Sequence, residues 1–431
     1  MLIQPTANAA IVTRPRNPIR SSLRYALAWA LVALAPMVAF ELSGYQRPFA
    51  DPTLRATMIA ASAALFAGLF LAGRVLDHPG TRATLHAVPI MAACFALAAL
   101  ILFAFRVEYS RILLFYSAAT AMGITAQMRW SRRRWDRQGF YIVPFGDAHS
   151  IASIDGLCVR TMKRPDIPLD RGANIVADLN ADLPPAWVRL LARASLTGVP
   201  VYHYKQLAES LTGQVKIESL SENSFGSLMP NRSYTPVKRL IDLLGSLILL
   251  VVLAPLMAAV AALIWAEDGA SPVFIQTRTG LGGRPFRMYK FRSMTQRPAA
   301  AFDSARNEAV TQDDDARITR IGGFIRRYRI DELPQLLNVV KGEMSLIGPR
   351  PEANSLADWY DDNLPFYSYR NILRPGLTGW AQVNQGHVAS LDEIDVKLQY
   401  DFYYIKHFSF WLDALIVIRT IHTVLTGFGS K

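Results

Sequence analysis

Cysteine is nearly absent. Only Cys94 and Cys158 occur in 431 residues, one in an apolar stretch and one in a polar region, which argues against a disulfide framework and a Cys-based metal site. No short apolar run followed by a small-residue cleavage site opens the chain, so no removable signal peptide is expected. Internal repeats and low-complexity tracts are missing. No G-x-G-x-x-G follows the first strand candidate after the early apolar segments, so that region is assigned no nucleotide. Acidic residues are in deficit: 34 Asp+Glu face 46 Lys+Arg, a formal charge of +12. Such a surplus suits nucleic acid, anionic lipid or a phosphorylated substrate. Many of the arginines flank apolar segments, which favours lipid and phosphate, and nucleic acid is not an expected partner.

What is plentiful is apolar sequence. Hydrophobic residues make up 51% of the chain and gather in a few long stretches, the mark of membrane segments rather than of one large core. Four come first: about Tyr25–Phe40, Ala56–Gly73, Ala83–Phe105 and Ile112–Met128. The first is short for a bilayer that asks for about 20 residues, but Arg24 and Glu41 can reach the interface. Arg14, Arg16, Arg20 and Arg24 precede the first segment, Arg74 and Arg82 lie between the second and third, and Arg129, Arg132, Arg133, Arg134 and Arg137 follow the fourth. The other two loops hold only Arg47 and Arg55, then Arg106 and Arg111. The positive-inside rule places both ends of this bundle, residues 1–138, in the cytoplasm.

Residues 139–226 read as a small soluble α/β domain. Phe140–Val143, Ile175-Val176 and Val199–Tyr204 have strand character, and Pro185–Ser195 reads as a helix. A Ser-, Asn- and Pro-rich stretch, Ser221–Pro236, holds the linker, placed at 227–236. The last domain, 237–431, opens with a fifth apolar stretch, Leu240–Ala266, framed by Lys238-Arg239 and Glu267-Asp268. Its length alone suggests a span, but Pro255 near its middle removes a backbone hydrogen bond and permits a sharp bend. A re-entrant helix over 240–266 is therefore expected, with Lys238-Arg239 and Glu267-Asp268 at one interface. The tail Phe408–Phe428 carries Asp413, Arg419 and His422 and suits an amphipathic helix on the membrane surface.

Chemistry concentrates after Pro272. In Arg326–Gly342, Leu333, Leu336, Leu337 and Val340 fall at helical spacing, Pro334 suits a first turn and Gly342 a C-terminal cap. Asp331 and Glu332 then stand at the helix N-terminus, where a carboxylate and a facing phosphate are both favoured. An ionised carboxylate beside a polarised phosphorus is a competent nucleophile. Taken alone, Asp331 reads more readily as a plain N-cap and Glu332 as a first-turn residue. Their neighbours shift that balance. Arg350 sits between Pro349 and Pro351, Arg374 stands beside a Gly-rich turn, and Phe286–Met294 alternates basic and apolar residues on a strand that includes Lys290. Several cations around one acidic pair are what a diphosphate needs.

From about Thr235 to Gly427 the sequence resembles the monotopic polyprenyl-phosphate phosphoglycosyl transferases, the bacterial sugar transferase family. The shared pieces are Lys238-Arg239 with Asp242, Pro272–Gln276, Tyr289–Arg292, Asp331–Gln335, Gly348–Pro351 and Arg374–Trp380. Four N-terminal spans and a soluble insert resemble the larger members, which start exopolysaccharide, capsule or O-antigen synthesis. The resemblance implies a UDP-sugar donor, with glucose or galactose suggested, an undecaprenyl phosphate acceptor and release of UMP. Asp331 would form a covalent phosphosugar intermediate, Glu332 would help position Mg²⁺ with it, and Lys290, Arg326, Arg350 and Arg374 would bind substrate. Three departures stand out. The family commonly has Asn-Gly-Arg after Trp-Ala-Gln-Val, where this chain has Asn384-Gln385-Gly386-His387, and no role is carried over to His387. Ser271 replaces a glycine before Pro272, and the helix break reads Ala254-Pro255 rather than Ser-Pro.

The expected fold class is thus a membrane protein: a four-helix transmembrane bundle, a small Rossmann-like α/β domain, and an α/β catalytic domain with a re-entrant helix and amphipathic interfacial helices. Its expected place is the bacterial inner membrane, with membrane lipid as a partner and the catalytic domain on the cytoplasmic face. A homodimer is left open. The rival class is a non-enzymatic membrane scaffold or regulator of polysaccharide assembly, which an apolar replacement of either carboxylate would have favoured. A many-span sugar-phosphate transferase expects far more apolar segments than this chain has.

Overall fold

A computed structural model describes residues 18–42, 48–75, 83–135, 139–154, 157–168, 170, 173–217, 230–295, 318–385 and 390–426. The chain divides into two compact units, Met1–Gly213 and Gln214–Lys431. In the first unit α1 (Pro18–Trp29) runs through a π-helical turn, Ala30–Leu34, into α2 (Ala35–Leu42). Next come α3 (Pro52–Val75), α4 (Ala83–Ala104) and α5 (Arg111–Trp135). These helices share a core built from Val32, Ala61, Leu65, Met91, Phe95, Leu114 and Ala121. Small residues let them approach closely, and a Cβ added at Gly68 would meet Met91 Sδ at 2.6 Å. Their outer faces carry Ile59, Phe66, Phe70, Leu100, Phe103 and Phe115, all exposed. So continuous an apolar surface belongs in lipid rather than in water. Among the described residues, Tyr25–Leu42, Pro52–Gly73 and Tyr234–Glu267 are long and apolar enough to cross a membrane, and Ile90–Ala104 is a shorter apolar stretch.

The α/β part of this unit is a four-stranded parallel sheet in the order β2-β1-β3-β4. Its strands are β1 (Gly139–Ile142), β2 (Cys158–Thr161), β3 (Ala173–Ala177) and β4 (Val201–His203). Ile175 and Ala177 pack under α6 (Pro185–Leu196), while Phe140, Ile142 and Val176 pack under α7 (Tyr204–Thr212). Sequence reading missed β2 and α7. The first is an edge strand with mostly exposed side chains, and so lacks the alternation that marks a half-buried strand. Tyr204, read as the end of a strand, opens α7 instead, where His203 Nδ1 accepts from the Lys205 N–H and caps the helix.

The second unit begins with α8 (Tyr234–Asp268), which continues helically through Pro255. Its two halves are fastened to the same unit. Near the start, Lys238 Nζ lies 2.9 Å from Asp413 Oδ2. Arg239 donates to the carbonyls of Val339 and Val340 at 2.7 and 2.9 Å. Asp242 accepts from Ser345 Oγ and the Leu346 N–H at 2.7 and 3.1 Å. Toward the end, Val260 and Ile264 pack with Phe291 and Ile325. Between these anchors Ile248, Val251 and Val252 are 63%, 76% and 65% exposed.

Beyond α8 an antiparallel pair, β5 (Val273–Thr279) and β6 (Pro285–Phe291), places Phe274 opposite Lys290. Helix α9 (Arg320–Arg327) is capped by the Thr319 hydroxyl, which accepts from the Gly322 N–H. A 3₁₀ turn, Ile330–Gln335, then leads into α10 (Leu336–Lys341), which Gly342 ends in the left-handed conformation, φ 85°. Two short parallel strands follow, β7 (Ser345–Ile347) and β8 (Gly376–Thr378), with α11 (Asn354–Asn363) between them in sequence. The chain closes with α12 (Trp380–Asn384), α13 (Leu391–Lys406) and α14 (Phe410–Thr426). Helix α14 buries Asp413 and Arg419, which the sequence reading took for the polar side of a surface helix, together with Leu412, Leu415 and Ile416, and exposes Phe410, Val417 and Ile421. Gly386-His387 lies outside the described residues.

Gly348 is where β7 turns toward Arg350, and its backbone touches β8. A Cβ there would sit 2.4 Å from the Arg374 carbonyl oxygen and 3.0 Å from the Gly376 nitrogen. Backbone cannot swing aside as a side chain can. We expect Gly348→Ala to destabilise the catalytic unit by about 2–3 kcal/mol, read as a lower thermal midpoint in detergent. An unchanged midpoint would contradict the close packing.

Candidate active site

The acidic pair enters its site by a strained step. Arg329, a non-glycine residue, has φ 55°, a conformation uncommon outside special sites. It turns the chain from α9 into the 3₁₀ segment that carries Asp331 and Glu332. No side chain caps this turn, so the capping role open to Asp331 in the sequence is not what it performs. Asn338 locks the following helix to strand β6: its Nδ2 donates to the Arg287 carbonyl at 2.7 Å and its Oδ1 accepts from the Tyr289 N–H at 3.1 Å. The next residue on that strand is Lys290. One buried amide thus fixes the distance between the dyad's helix and a cation 41 positions upstream of Asp331.

The two carboxylates have different company. Glu332 is 7% exposed and its Oε1 lies 2.8 Å from Arg350 Nη2 and 3.9 Å from Arg329 Nη1. Burial alone would raise its pKa, but the Arg350 and Lys290 charges and the Arg350 hydrogen bond hold it well below the usual carboxylate range. Asp331 makes no hydrogen bond to any described residue. Burial first, and the neighbouring Glu332 charge second, push its pKa up to about 6, against the pull of Lys290, Arg350 and Arg326. The anchored member therefore carries a settled negative charge, and the free member is poised between acid and nucleophile. Burial in turn lowers the Lys290 pKa to about 8.

Of the four cations singled out in the sequence, the structure brings Lys290, Arg326 and Arg350 onto the dyad. Arg374 is placed differently: its Nε donates to the Gly342 carbonyl at 2.9 Å, closing the end of α10. Pro255 lies inside α8. Sequence reading missed the support behind Arg350. Its carbonyl accepts from Arg370 Nη2 at 2.8 Å, and Arg370 is paired with Asp401 at 2.8 Å. Glu352 gathers Lys397, Arg370 and Arg278 around it, with the Lys397 contact the shortest. No local pattern announces these partners, which come from β5 and α13. Among the described residues no cluster of three or more His, Cys, Asp or Glu could cage a metal.

Comparison with known proteins gives the family. A family model described as bacterial sugar transferase matches residues 233–427. A UDP-N-acetylgalactosamine-undecaprenyl-phosphate N-acetylgalactosaminephosphotransferase of Aeromonas hydrophila is 44% identical over 83% of this chain and 84% of its own. A UDP-glucose:undecaprenyl-phosphate glucose-1-phosphate transferase of Caulobacter vibrioides is 39% identical over 47% of this chain and 74% of its own. The enzyme of that same name from Escherichia coli is 35% identical over 45% and 41%.

The electrostatics yield a direct test. Asp331 should titrate near pH 6. Arg326→Gln removes a positive charge that favours the ionised form, so the midpoint should move higher. Infrared difference spectra across pH, with Asp331→Asn as the blank, read this. A midpoint near 4 in the parent protein, or a downward move in the variant, would contradict the arrangement.

Proposed function

The chain belongs to the bacterial sugar transferase family, the polyprenyl-phosphate phosphoglycosyl transferases, and from that premise we propose that it moves a sugar-1-phosphate from a UDP-sugar to undecaprenyl phosphate through a covalent intermediate on Asp331. The observation that carries the assignment is the asymmetry of the dyad: Glu332 is tied to Arg350, while the Asp331 carboxylate is unbonded among the described residues. In the first displacement an Asp331 oxygen attacks the β-phosphorus. The bond from that phosphorus to the oxygen bridging the α-phosphorus breaks, and UMP leaves with its electron pair. In the second, an oxygen of undecaprenyl phosphate attacks the same phosphorus, and Asp331 departs as a carboxylate. Lipid diphosphate sugar is the product.

Both steps need cations near the non-bridging oxygens, and the first also needs an ionised Asp331. Arg350, Lys290 and Arg326 supply the cations, and a pKa of about 6 leaves Asp331 ionised at neutral pH. Glu332 keeps Arg350 and Lys290 in place. Asp331 and Glu332, with the donor's diphosphate, would hold Mg²⁺, which would offset the diphosphate charge. UDP-N-acetylgalactosamine is the first donor to try, because the relative named for it matches most of both chains; UDP-glucose and UDP-galactose come next. Initiation of a surface polysaccharide is the setting this reaction suits.

The same reading places the catalytic unit on the cytoplasmic face of the inner membrane, beside the UDP-sugars, and makes α8 a re-entrant helix. Its support is that both halves of α8 are anchored to one unit while the apolar middle is exposed. A helix that crossed the bilayer would part those anchors. Pro255 supplies the weak point for the bend.

Asp331→Asn keeps the shape and loses the nucleophile. It should lower UMP release and lipid labelling by about a thousandfold or more, with the protein still folded in the membrane; near-parental turnover would refute the covalent route. For topology, cysteines placed at Ser233 and Ser293 in a background lacking Cys94 and Cys158 should both react with an impermeant reagent from the cytoplasmic side only. Labelling from opposite sides would establish a span.

A further inference from the structure

The catalytic unit holds a buried cation that the dyad does not use. Arg419 on α14 is 8% exposed, and its guanidinium lies over the Trp380 ring, 4.7 Å from the centroid. Nη1 donates to Asn384 Oδ1. Among the described residues, Nε and Nη2 are buried without a hydrogen-bond partner. Among the described residues no carboxylate pairs with this arginine. Arg370 shows the usual arrangement in this same unit, with Asp401 at 2.8 Å. A guanidinium stripped of water and left with unmade bonds is costly. It stays charged near neutral pH, and a planar fork with free donors matches phosphate oxygens. Beside Asn384 in the chain, Gln382 Oε1 and Gln385 Oε1 are also buried and unbonded among the described residues.

The topology brings this arginine toward the dyad's edge of the fold. Strands β7 and β8 are parallel, so their C-terminal ends share one side. From that side β7 leads through Gly348 and Pro349 to Arg350, while β8 leads into α12, whose Trp380 and Asn384 hold Arg419. The two are stitched together: the Gly348 N–H donates to the Thr378 carbonyl at 2.8 Å, and Thr378 Oγ1 lies 2.8 Å from Thr420 Oγ1. Helix α14 also turns Phe410, Val417 and Ile421 outward. A cation with open donors therefore sits on a helix whose exposed face is apolar, the pairing that a phosphate on a hydrocarbon chain requires.

We propose that Arg419 receives the phosphate monoester of the lipid acceptor, in a subsite separate from the one that binds the donor diphosphate. This rests on the transfer reading above, and it assigns the second displacement its own binding residue. In the full-length protein in nanodiscs, Arg419→Gln should raise KM for undecaprenyl phosphate about ten- to hundredfold, and Arg419→Lys should recover part of the loss. KM for the UDP-sugar, and single-turnover UMP release without acceptor, should stay at parental values. Inorganic phosphate should compete with the lipid acceptor in the parent protein and much less in Arg419→Gln. An unchanged acceptor KM, or a rise confined to the donor KM, overturns the assignment. So does equal competition by phosphatidylglycerol nanodiscs lacking undecaprenyl phosphate, which would make the site a general anchor for anionic lipid. A parent protein that releases no UMP from any UDP-sugar fails the transfer reading itself, an outcome distinct from these.

Discussion

Two adjacent carboxylates in a half-buried site repel one another, and each pays for lost water. The second unit resolves this by giving one carboxylate nearly all the bonding. Glu332 takes Arg350 at 2.8 Å and feels Lys290, and Asp331 is left with a raised pKa and no hydrogen bond among the described residues. Everything around the pair serves that inequality. Arg370, with Asp401 behind it, holds the Arg350 backbone. Asn338 holds the dyad's helix to the strand of Lys290. The turn at Arg329 delivers the two acids side by side.

The membrane segment and the catalytic fold are built as one piece. Lys238, Asp242 and Asp413 are all buried, a set of charges that would be expensive to leave unpaired. Paired, with Tyr234 and Tyr404 donating to Asp413 at 2.7 Å, they bind the start of α8 to α14. Arg239 finishes the C-terminal end of α10, the helix that follows the dyad. Displacing α8 would therefore disturb the helix into which the nucleophile's 3₁₀ turn leads. The middle of α8 and one side of α14 give the unit two exposed apolar faces.

Some of this was legible in the sequence, and the division has a physical cause. The dyad, Lys290 and Arg350 stand inside continuous strings whose local pattern already names a turn, a strand or a proline-braced cation. The apolar helices were legible from length. Partners that arise only from tertiary closure were not. Asp413 meets Lys238 across 175 positions, and Arg419 meets Asn384 across 35. Arg374 looked like a phosphate ligand beside a Gly-rich turn, yet its Nε is spent on the Gly342 carbonyl. In the first unit, β2 escaped notice because an exposed edge strand has no buried face to impose alternation.

The claim on which the rest turns is that Asp331, not Glu332, becomes the phosphosugar carrier. Incubating the protein with UDP-N-acetylgalactosamine and no lipid acceptor, quenching in acid, and mapping peptides by mass spectrometry would read it directly. The expected result is a hexosamine-phosphate adduct on Asp331 that disappears when undecaprenyl phosphate is added before the quench. An adduct on Glu332, or UMP release with neither carboxylate modified at any time point, would contradict it.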